Sequence, residues 1–238
     1  MIIPEHVVWH DVECSRYDAD LPLWRELARD APEGVLDVGA GTGRVAVHLA
    51  YAGHRVTALD LDSELLRVLA ARAEAADTQV TTVTADAADF ALEEPVGLVI
   101  VPMQTLQLLA ERDGFFASAR RALVPGGRVA VAIATDLESY DGTPPLPAPD
   151  LGRADGWTYI SQPIAIHVDD TEVLIERIRQ RVGPHGERVT TDDETRLQVV
   201  TPGGLAEEAA RHGLEAEELR HIPETPEHVG TQVVIFRG

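Results

Sequence analysis

A glycine-rich turn between a strand-like and a helix-like segment is the feature that most constrains the fold of this chain. The segment is VLDVGAGTGRVAVHLA, residues 35–50, and its glycines are Gly39, Gly41 and Gly43. Glycine tolerates a positive φ and, having no Cβ, lets a ligand lie against the backbone. A helix that starts there presents free N–H groups and a partial positive charge to that ligand. The turn therefore predicts an open α/β sheet that binds a nucleotide-like ligand at the carboxyl end of a strand.

Short apolar runs alternate with longer amphipathic segments between residues 34 and 135. The apolar runs predict strands, and their ranges are 34–39, 54–60, 78–86, 96–102 and 127–135. The segments between them predict helices over 44–51, 62–75 and 106–123, with Asp62 or Ser63 as the N-cap of the second. This alternation predicts a parallel sheet with helices on both faces.

The pattern changes after residue 135. A proline-rich stretch, residues 143–152, predicts a loop or an extended crossing. The region up to residue 200 predicts three or four strands, with a hairpin turn at residues 183–186. Its middle segment is interpreted as a strand from its β-branched content, although its apolar residues also fit a helical spacing. A helix from Thr201 to Gly213 and two closing strands complete the prediction.

Charge and composition exclude several classes of partner. The 238 residues carry 40 acidic and 20 basic side chains, a formal net charge of -20, which disfavours a phosphate backbone. Aromatic residues make up 5%, too few for a platform on which RNA bases stack. The chain has a single cysteine, no apolar run of about 20 residues and no leader-like N-terminus. We therefore expect a cytoplasmic protein with no nucleic-acid or membrane partner and no metal site.

Carboxylates at the ends of the predicted strands narrow the choice of ligand. Asp60 ends the second strand, 17 residues after Gly43, where its carboxylate can accept hydrogen bonds from a ribose diol. Asp86 ends the third strand, where a further ligand contact is expected. The spacing G-x-G-x-G followed by Arg44 lacks the last glycine of the dinucleotide fingerprint. Asp37 also brings a negative charge to the turn, which suits an ammonium or a sulfonium better than a pyrophosphate.

The ordered motifs LDVGAGTGR, ALDLDSELL, TADAADF and LVPGGRVAVAI resemble those of class I S-adenosylmethionine-dependent methyltransferases of the small-molecule type. The resemblance covers residues 34–135 together with the closing helix and strand pair. It implies a Rossmann-like α/β fold, with a seven-stranded sheet in the order 3-2-1-4-5-7-6 whose last strand is antiparallel. It also implies S-adenosyl-L-methionine as the cofactor.

The resemblance assigns a cofactor contact to particular residues. Gly39, Ala40 and Gly41 would line the methionine part, and Asp60 would hold the ribose hydroxyls. Leu61 would pack on the adenine, Asp86 would bond the adenine amino group, and the N–H of Ala87 would lie nearby. Val101 and Pro102 would face the methionine end of the site. Asp37 completes the predicted set within the glycine turn. Tyr17 would close over the cofactor from a lid helix.

The same resemblance divides the chain into functional parts. Residues 1–33 would form N-terminal lid helices, and residues 34–135 with 200–238 the S-adenosylmethionine-binding domain. Residues 136–199 would form an inserted antiparallel β cap for contacts with substrate or with a second copy in a homodimer. For the lid an alternative stays open, in which Tyr17, Leu21 and Trp24 only pack their helix onto the sheet.

The predicted activity is methyl transfer to a nitrogen or oxygen atom of a small-molecule acceptor by in-line displacement. Placing the nucleophile about 3 Å from the methyl group supplies much of the acceleration. Several related enzymes carry a histidine after the fourth strand, where this chain has Leu108. In the same segment we expect Met103, Gln104 and Gln107 to face the cofactor or the substrate. No general base is assigned, and the candidates are His10, Asp136, Glu138 and His167. Two alternatives remain: a methyltransferase-fold protein that binds the cofactor for other chemistry or regulation, and a nicotinamide-dependent oxidoreductase.

Overall fold

A central sheet of seven strands and a separate antiparallel sheet of four strands organise the molecule, in a computed structural model that describes residues 3–144, 146–225 and 228–238. Five residues that fall within predicted segments lie outside the described residues. They are Met1 and Ile2 of the lid segment, Pro145 of the proline-rich stretch, and Pro226 and Glu227 before the last strand.

Six α-helices and eleven strands are formed by the described residues. The helices are α1 Glu5–Cys14, α2 Leu21–Arg29, α3 Arg44–Tyr51, α4 Ser63–Ala75, α5 Asp113–Ala122 and α6 Pro202–Ala210, with a 3₁₀ helix at Thr105–Leu108. The strands of the central sheet are β1 Val35–Val38, β2 Val56–Asp60, β3 Thr81–Thr84, β4 Val96–Val101, β5 Leu123–Ile133, β10 Glu215–Ile222 and β11 Thr231–Arg237. The strands of the second sheet are β6 Asp150–Ala154, β7 Trp157–Val168, β8 Glu172–Val182 and β9 Arg188–Gln198.

The predicted strand order of the central sheet is confirmed. The strands lie in the order β3-β2-β1-β4-β5-β11-β10, so the two closing strands take the places numbered 7 and 6 in the prediction. Strands β1 to β5 pair in parallel, whereas β11 runs antiparallel to both β5 and β10. Strand β4 is buried along its whole length, because its continuous apolar sequence VGLVIV faces helices on both sides.

Two apolar layers, one on each face of the central sheet, form the core. Trp24, Leu49 and Leu69 anchor helices α2, α3 and α4 on one face. Phe115 and Phe116 anchor helix α5 on the other face, where α6 also packs. The strand ends between these layers are therefore held in fixed positions, which is what a binding site at the sheet edge requires.

Side-chain caps start two of the helices at the positions that the sequence indicates. The carboxylate of Asp62 accepts hydrogen bonds from the N–H groups of Glu64 at 2.8 Å and Leu65 at 3.4 Å, which fixes the start of α4. The hydroxyl of Thr201 accepts one from the N–H of Gly204 at 3.1 Å and starts α6. Of the two predicted caps for α4, Asp62 is therefore the correct one.

The prediction of a continuous helix over residues 106–123 is wrong. The 3₁₀ helix ends at Leu108, and α5 begins only at Asp113. Arg112 lies in the break, donates a hydrogen bond to the carbonyl of Leu109 at 3.4 Å, and forms a two-pronged ion pair with Glu208 of α6 at 2.8 and 2.9 Å. This contact between distant parts of the chain outweighs the local helical pattern.

The inserted region forms a four-stranded antiparallel sheet in the order β6-β7-β8-β9, which we call the cap sheet. Residues 172–182 are a strand, so the strand interpretation of this segment holds over the helical alternative. The N–H of Gly183 donates to the carbonyl of Glu187 at 2.8 Å, and that of Gly186 donates to Gly183 at 3.0 Å, which closes the predicted turn. Strand β6 begins within the proline-rich stretch, whose last residues are therefore extended.

A buried glutamine clamps the two chain crossings between the sheets. The side chain of Gln107 accepts a hydrogen bond from the N–H of Ala134 at 2.8 Å, and donates to the carbonyls of Ala134 and Gln198 at 3.2 Å each. Ala134 lies directly after β5 and Gln198 ends β9, so one amide holds both the exit to the cap sheet and the return from it. Because this amide is occupied by its bonds to the two crossings, the expectation that Gln107 faces the cofactor or the substrate is wrong.

Gln107→Leu is expected to destabilise the fold by about 2–4 kcal/mol, because the buried N–H of Ala134 and two carbonyls lose their partner. Urea unfolding followed by circular dichroism measures this change. Gln180→Leu is the matched control, since Gln180 makes an exposed hydrogen bond to Thr190 at 3.2 Å. Equal stability of the two variants would contradict the clamp.

Candidate functional site

The glycine turn lies at the carboxyl edge of the central sheet, between β1 and α3. Gly39, Gly41 and Gly43 adopt φ values of 70°, 54° and 92°, which disfavour any residue with a Cβ. The N–H groups of Gly39 and Ala40 both donate to the carbonyl of Leu59, at 2.8 and 3.0 Å. Helix α3 begins directly after Gly43, so the turn brings bare backbone and a helix N-terminus to the end of β1.

Asp60 lies beside this turn, at the end of β2. Its Oδ2 accepts a hydrogen bond from the N–H of Gly41 at 2.8 Å, and its Oδ1 accepts one from the N–H of Asp62 at 3.0 Å. These bonds fix the carboxylate while each oxygen keeps a lone pair for a further donor, such as a hydroxyl of a ligand. Leu61 follows with 72% of its side chain exposed and offers an apolar surface next to that carboxylate.

Asp86 and Ala87 lie at the end of β3, next along the same edge. The Asp86 side chain is exposed and accepts a hydrogen bond from the N–H of Ala88 at 2.8 Å, while Ala87 is half-buried. Strand β3 pairs with β2 so that Asp60 lies opposite Thr84. The three strand ends that the sequence singled out therefore follow one another along one edge of the sheet.

Asp37 lies beneath the turn and is only 1% exposed. Burial, the largest influence, raises the pKa of its carboxyl from 3.8 to about 7, against the attraction of Arg44 and the N–H of Ala46. Its Oδ1 is buried and has no hydrogen-bond partner among the residues the structure describes. A buried carboxyl group with a strongly raised pKa is common at functional sites.

The chain that follows β4 packs directly on the glycine turn. Val101 and Pro102 are buried, and a Cβ at Gly39 would collide with the side chain of Thr105. Met103, which follows Pro102, has a φ of 56°, an unusual backbone conformation for a residue with a side chain. Such strain persists where the surrounding structure enforces it and is concentrated at functional sites.

Tyr17 is buried, but it does not lie in a helix. Helix α2 begins only at Leu21, so Tyr17 belongs to the connection between α1 and α2, whereas the sequence places it in the lid helix. Its ring lies 4.8 Å from that of His228 and 5.2 Å from the guanidinium of Arg44. Arg44 also donates to the carbonyl of Tyr17 at 2.7 Å, which ties this connection to the start of α3.

Helix α1 contributes residues to the site that the strand pattern does not indicate. The imidazole of His10 lies so close to Gly41 that a Cβ there would collide with it. Burial lowers the pKa of His10, although Asp11 and Asp60 oppose this effect, so the ring is neutral at pH 7. Asp11, its neighbour, accepts a hydrogen bond from the hydroxyl of Thr42 in the turn at 2.6 Å.

The other candidate bases are exposed side chains. His167 is exposed on the cap sheet and pairs with Glu176 at 3.0 Å. Asp136 and Glu138 are exposed in the chain that leaves β5, and Leu108 is exposed as well. Of the four candidate bases, His10 is the one for which the described residues show a contact with the glycine turn.

None of the helices in the described ranges is long and apolar enough to pass through a lipid bilayer.

Comparisons with known proteins agree with this geometry. Residues 35–127 match a methyltransferase domain family. Malonyl-[acyl-carrier protein] O-methyltransferase of Geobacter sulfurreducens is 38% identical over 108 residues, which cover 44% of this chain and 40% of that protein. The chain spans about half or less of the length of the curated relatives that it matches.

Solved structures match nearly the whole chain. The S-adenosylmethionine complex of CalS10, an amino pentose methyltransferase of Micromonospora echinaspora, has a TM-score of 0.72 at 17% identity, covering 100% of this chain and 98% of that one. The sugar N-methyltransferase KedS8 of Streptoalloteichus has a TM-score of 0.70 at 19% identity, covering 100% and 95%. At such identities the likeness is one of fold.

Residues 35–127 therefore match a methyltransferase domain, and the chain has the fold of solved S-adenosylmethionine-dependent methyltransferases, as its motifs predict. Its α/β architecture, its seven-stranded sheet and the additional antiparallel sheet match the fold of these solved structures over nearly the whole chain.

Proposed function

We propose that this protein binds S-adenosyl-L-methionine and transfers its methyl group to a nitrogen or oxygen atom of a small-molecule acceptor. The observation that carries the proposal is the sheet edge at which the glycine turn, Asp60 and Asp86 follow one another along the ends of β1, β2 and β3. The relatives and structural neighbours are methyltransferases, which supports the same activity.

The residues present fit this cofactor. Gly39 and Gly41 take positive φ values that bring the backbone of the turn to the end of β1, and the buried Oδ1 of Asp37 is a partner for a nearby cation. Asp60 would accept from the ribose hydroxyls, while Leu61 would cover the adenine, which Asp86 and Ala87 would hold at its edge. Ala40, Val101 and Pro102 would line the methionine end, and Tyr17 would close it.

The chain's own contribution to the reaction is placement. Bound S-adenosylmethionine would supply an electrophilic methyl group, which passes in line to the acceptor while S-adenosylhomocysteine leaves. Thr105 packs on Gly39, and together with the strained backbone at Met103 this contact holds the end of β4 against the glycine turn. The acceptor would therefore meet a fixed surface. An amine acceptor that is already neutral then needs no general base, whereas a hydroxyl acceptor gains from one.

Thermal unfolding with S-adenosylmethionine, S-adenosylhomocysteine or NAD added separately tests the proposal. A ligand at 100 times its dissociation constant stabilises the folded protein by about 2.7 kcal/mol, a clear shift in melting temperature. We expect the first two ligands to stabilise the protein. Stabilisation by NAD alone would overturn the proposal in favour of an oxidoreductase.

Asp60→Ala is expected to weaken S-adenosylhomocysteine binding at least about 100-fold, because hydrogen bonds from two hydroxyls to a carboxylate are lost, at about 1.5–3 kcal/mol each. Isothermal titration calorimetry measures the change. Asp89→Ala, which removes an exposed carboxylate near the end of β3, is the control and should bind normally. Normal binding by Asp60→Ala would remove Asp60 from the site.

An acceptor panel separates methyl transfer from other uses of the cofactor. Two structural neighbours are named for an amino pentose and for sugar N-methylation, so amino sugars come first, followed by phenols and carboxylic acids. Mass spectrometry of the acceptor and of released S-adenosylhomocysteine identifies the methylated class. Cofactor binding without transfer to any acceptor would favour the alternative of non-transfer chemistry or regulation.

The division into lid, cofactor domain and cap belongs to the same proposal, as does a homodimer formed through the cap sheet. Leu151 of β6 is 45% exposed and lies opposite Ile160 of β7, so the cap sheet presents apolar surface. Light scattering after size-exclusion chromatography gives the mass in solution. A dimer that Leu151→Arg converts into a monomer would support this interface, whereas a monomeric wild-type protein would exclude it.

A further inference from the structure

Helix α1 is bound to the glycine turn through Asp11. The carboxylate of Asp11 accepts hydrogen bonds from the hydroxyl of Thr42 at 2.6 Å and from Nη1 of Arg72 at 3.0 Å. Thr42 lies between Gly41 and Gly43, and Arg72 belongs to α4 and also donates to the carbonyl of Thr42 at 3.3 Å. Any displacement of α1 therefore breaks bonds at the turn itself.

Two residues further along, Glu13 binds α1 to the cap sheet. Its carboxylate accepts two parallel hydrogen bonds from Arg179 of β8, at 2.8 Å each, and one from the hydroxyl of Ser161 in β7 at 2.7 Å. Burial by itself would raise the pKa of Glu13, but the hydrogen bonds from Arg179 and Ser161 hold it below its ordinary value. The ion pair is therefore formed at neutral pH and is geometrically specific.

The apolar residues of α1 show the same division between two partners. Val7 packs with Leu65 and Val68 of α4. On another side of the helix, Trp9 contacts Tyr159 of β7 edge to face at 4.8 Å between ring centres, within a cluster that also contains Val8 and Val12. Helix α1 therefore fills the space between the cofactor domain and the cap sheet.

Helix α1 depends on these contacts for its own stability. It has ten residues, and its N-cap, Pro4, makes no side-chain cap hydrogen bond. Asp11 and Glu13 lie near its C-terminus, where negative charge is unfavourable to the helix dipole, and no basic residue lies in its last turn. A helix of this length is marginal alone, so the arginines of α4 and β8 provide the compensation that its own sequence lacks.

We propose that α1 couples the two halves of the site, so that Glu13 and Arg179 act as positioning residues that raise the affinity for the cofactor from the cap side of the helix. This inference rests on the proposed function. Loss of the contact between Glu13 and Arg179 loosens α1, and with it the bonds of Asp11 to the turn. Coupling of binding is reciprocal, so a bound cofactor must in turn order the cap sheet for the acceptor.

Calorimetric titration with S-adenosylhomocysteine tests the coupling. We expect Arg179→Met and Glu13→Gln each to weaken binding about 10-fold, within the usual range for coupled sites. Arg196→Met is the matched control, because Arg196 forms its ion pairs with Glu172 and Glu194 within the cap sheet. Arg179→Lys keeps the charge but loses the two-pronged geometry, and should restore part of the affinity.

Hydrogen exchange gives a second measurement that a purely structural role would leave unchanged. In the wild-type protein, S-adenosylhomocysteine should slow exchange in residues 172–182 of β8 as well as in the glycine turn. In Glu13→Gln, at ligand concentrations that saturate the site, it should slow exchange in the turn alone.

The outcomes separate the coupling from the function on which it rests. Wild-type affinity in both Arg179→Met and Glu13→Gln, or an equal loss in Arg196→Met, would overturn the coupling and leave the cofactor site intact. A wild-type protein that does not bind S-adenosylhomocysteine would overturn the proposed function, and the coupling with it.

Discussion

Asp37→Asn is expected to stabilise the protein at pH 8 and to weaken its binding of S-adenosylmethionine. The wild-type carboxyl is 1% exposed, and its pKa is raised by burial from 3.8 to about 7. Between about pH 4 and pH 7 the folded state therefore holds a proton that the unfolded state has released. Stability falls with rising pH wherever the folded state binds more protons, so this residue makes the protein less stable from pH 4 towards pH 7.

The size of the effect follows from the displacement of the pKa. A rise from 3.8 to about 7 corresponds to about 4 kcal/mol of destabilisation above pH 7, in the absence of ligand. Asparagine removes this pH-dependent contribution but keeps the shape of the side chain. The weaker bond to Ala46 costs about 1 kcal/mol at either pH. We therefore expect the variant to be about 3 kcal/mol more stable than the wild type at pH 8 and slightly less stable than it at pH 4.

Urea unfolding at several pH values, with and without ligand, measures both effects. The variant should bind S-adenosylmethionine about 10-fold more weakly at pH 8, since an attraction of about 1.4 kcal/mol between a carboxylate and a cation is lost. Asp89→Asn, at an exposed carboxylate near the same edge, controls for general changes in charge. A pH-independent difference between wild type and variant would show that Asp37 is ionised in the folded state throughout.

Measurement of both effects together would assign the destabilising carboxylate beneath the turn to ligand binding. Residues that serve binding commonly reduce stability, and their replacement commonly restores it. The sequence predicts the location of Asp37, because a strand that ends on D-V-G places it next to the turn. It does not predict the raised pKa, which depends on how completely α3 and the neighbouring strands cover the side chain.

The central sheet was predictable because its signals are local. Strand β4 is an uninterrupted apolar run, and Gly39, Gly41 and Gly43 adopt the positive φ values that a strand-to-helix turn of this kind requires. Residues at the carboxyl ends of neighbouring parallel strands must share an edge, so the proximity of Asp60 to the turn follows from the alternation of strands and helices. The roles assigned to these residues stay predictions until ligand binding is measured.

The seating of α1 and the break before α5 were not predictable, because their contacts join distant parts of the chain. Glu13 is 166 residues from Arg179, and Arg112 is 96 residues from Glu208. With 40 acidic and 20 basic residues, no local pattern indicates which carboxylate pairs with which guanidinium. The same holds for His10, whose contact with Gly41 arises from the way α1 is seated on the turn.

Arg44→Met is expected to cause the largest loss of stability at the site, about 3–5 kcal/mol, because it breaks a buried ion pair and leaves its partner charged. Arg44 binds Asp20 through two parallel hydrogen bonds, at 2.5 and 2.8 Å, and Asp20 is 1% exposed. Without Arg44, Asp20 would retain the indole N–H of Trp24, at 2.8 Å, as its neutral partner. The attraction that partly offsets the burial of Asp37 would be lost as well.

Urea unfolding of Arg44→Met, compared with Arg220→Met, isolates the effect of burial. Arg220 pairs with Glu26 at the surface, and exposed pairs contribute roughly 1 kcal/mol or less. Adding Asp20→Asn to Arg44→Met removes the stranded charge, so the double variant should be more stable than Arg44→Met alone. If the double variant loses the sum of the two single changes, the pair is not acting as a buried ion pair.

Because Arg44 also donates to the carbonyl of Tyr17, we expect the double variant to regain stability without regaining affinity for S-adenosylhomocysteine. That separation would assign Arg44 to the closure of the cofactor site as well as to the core beneath it.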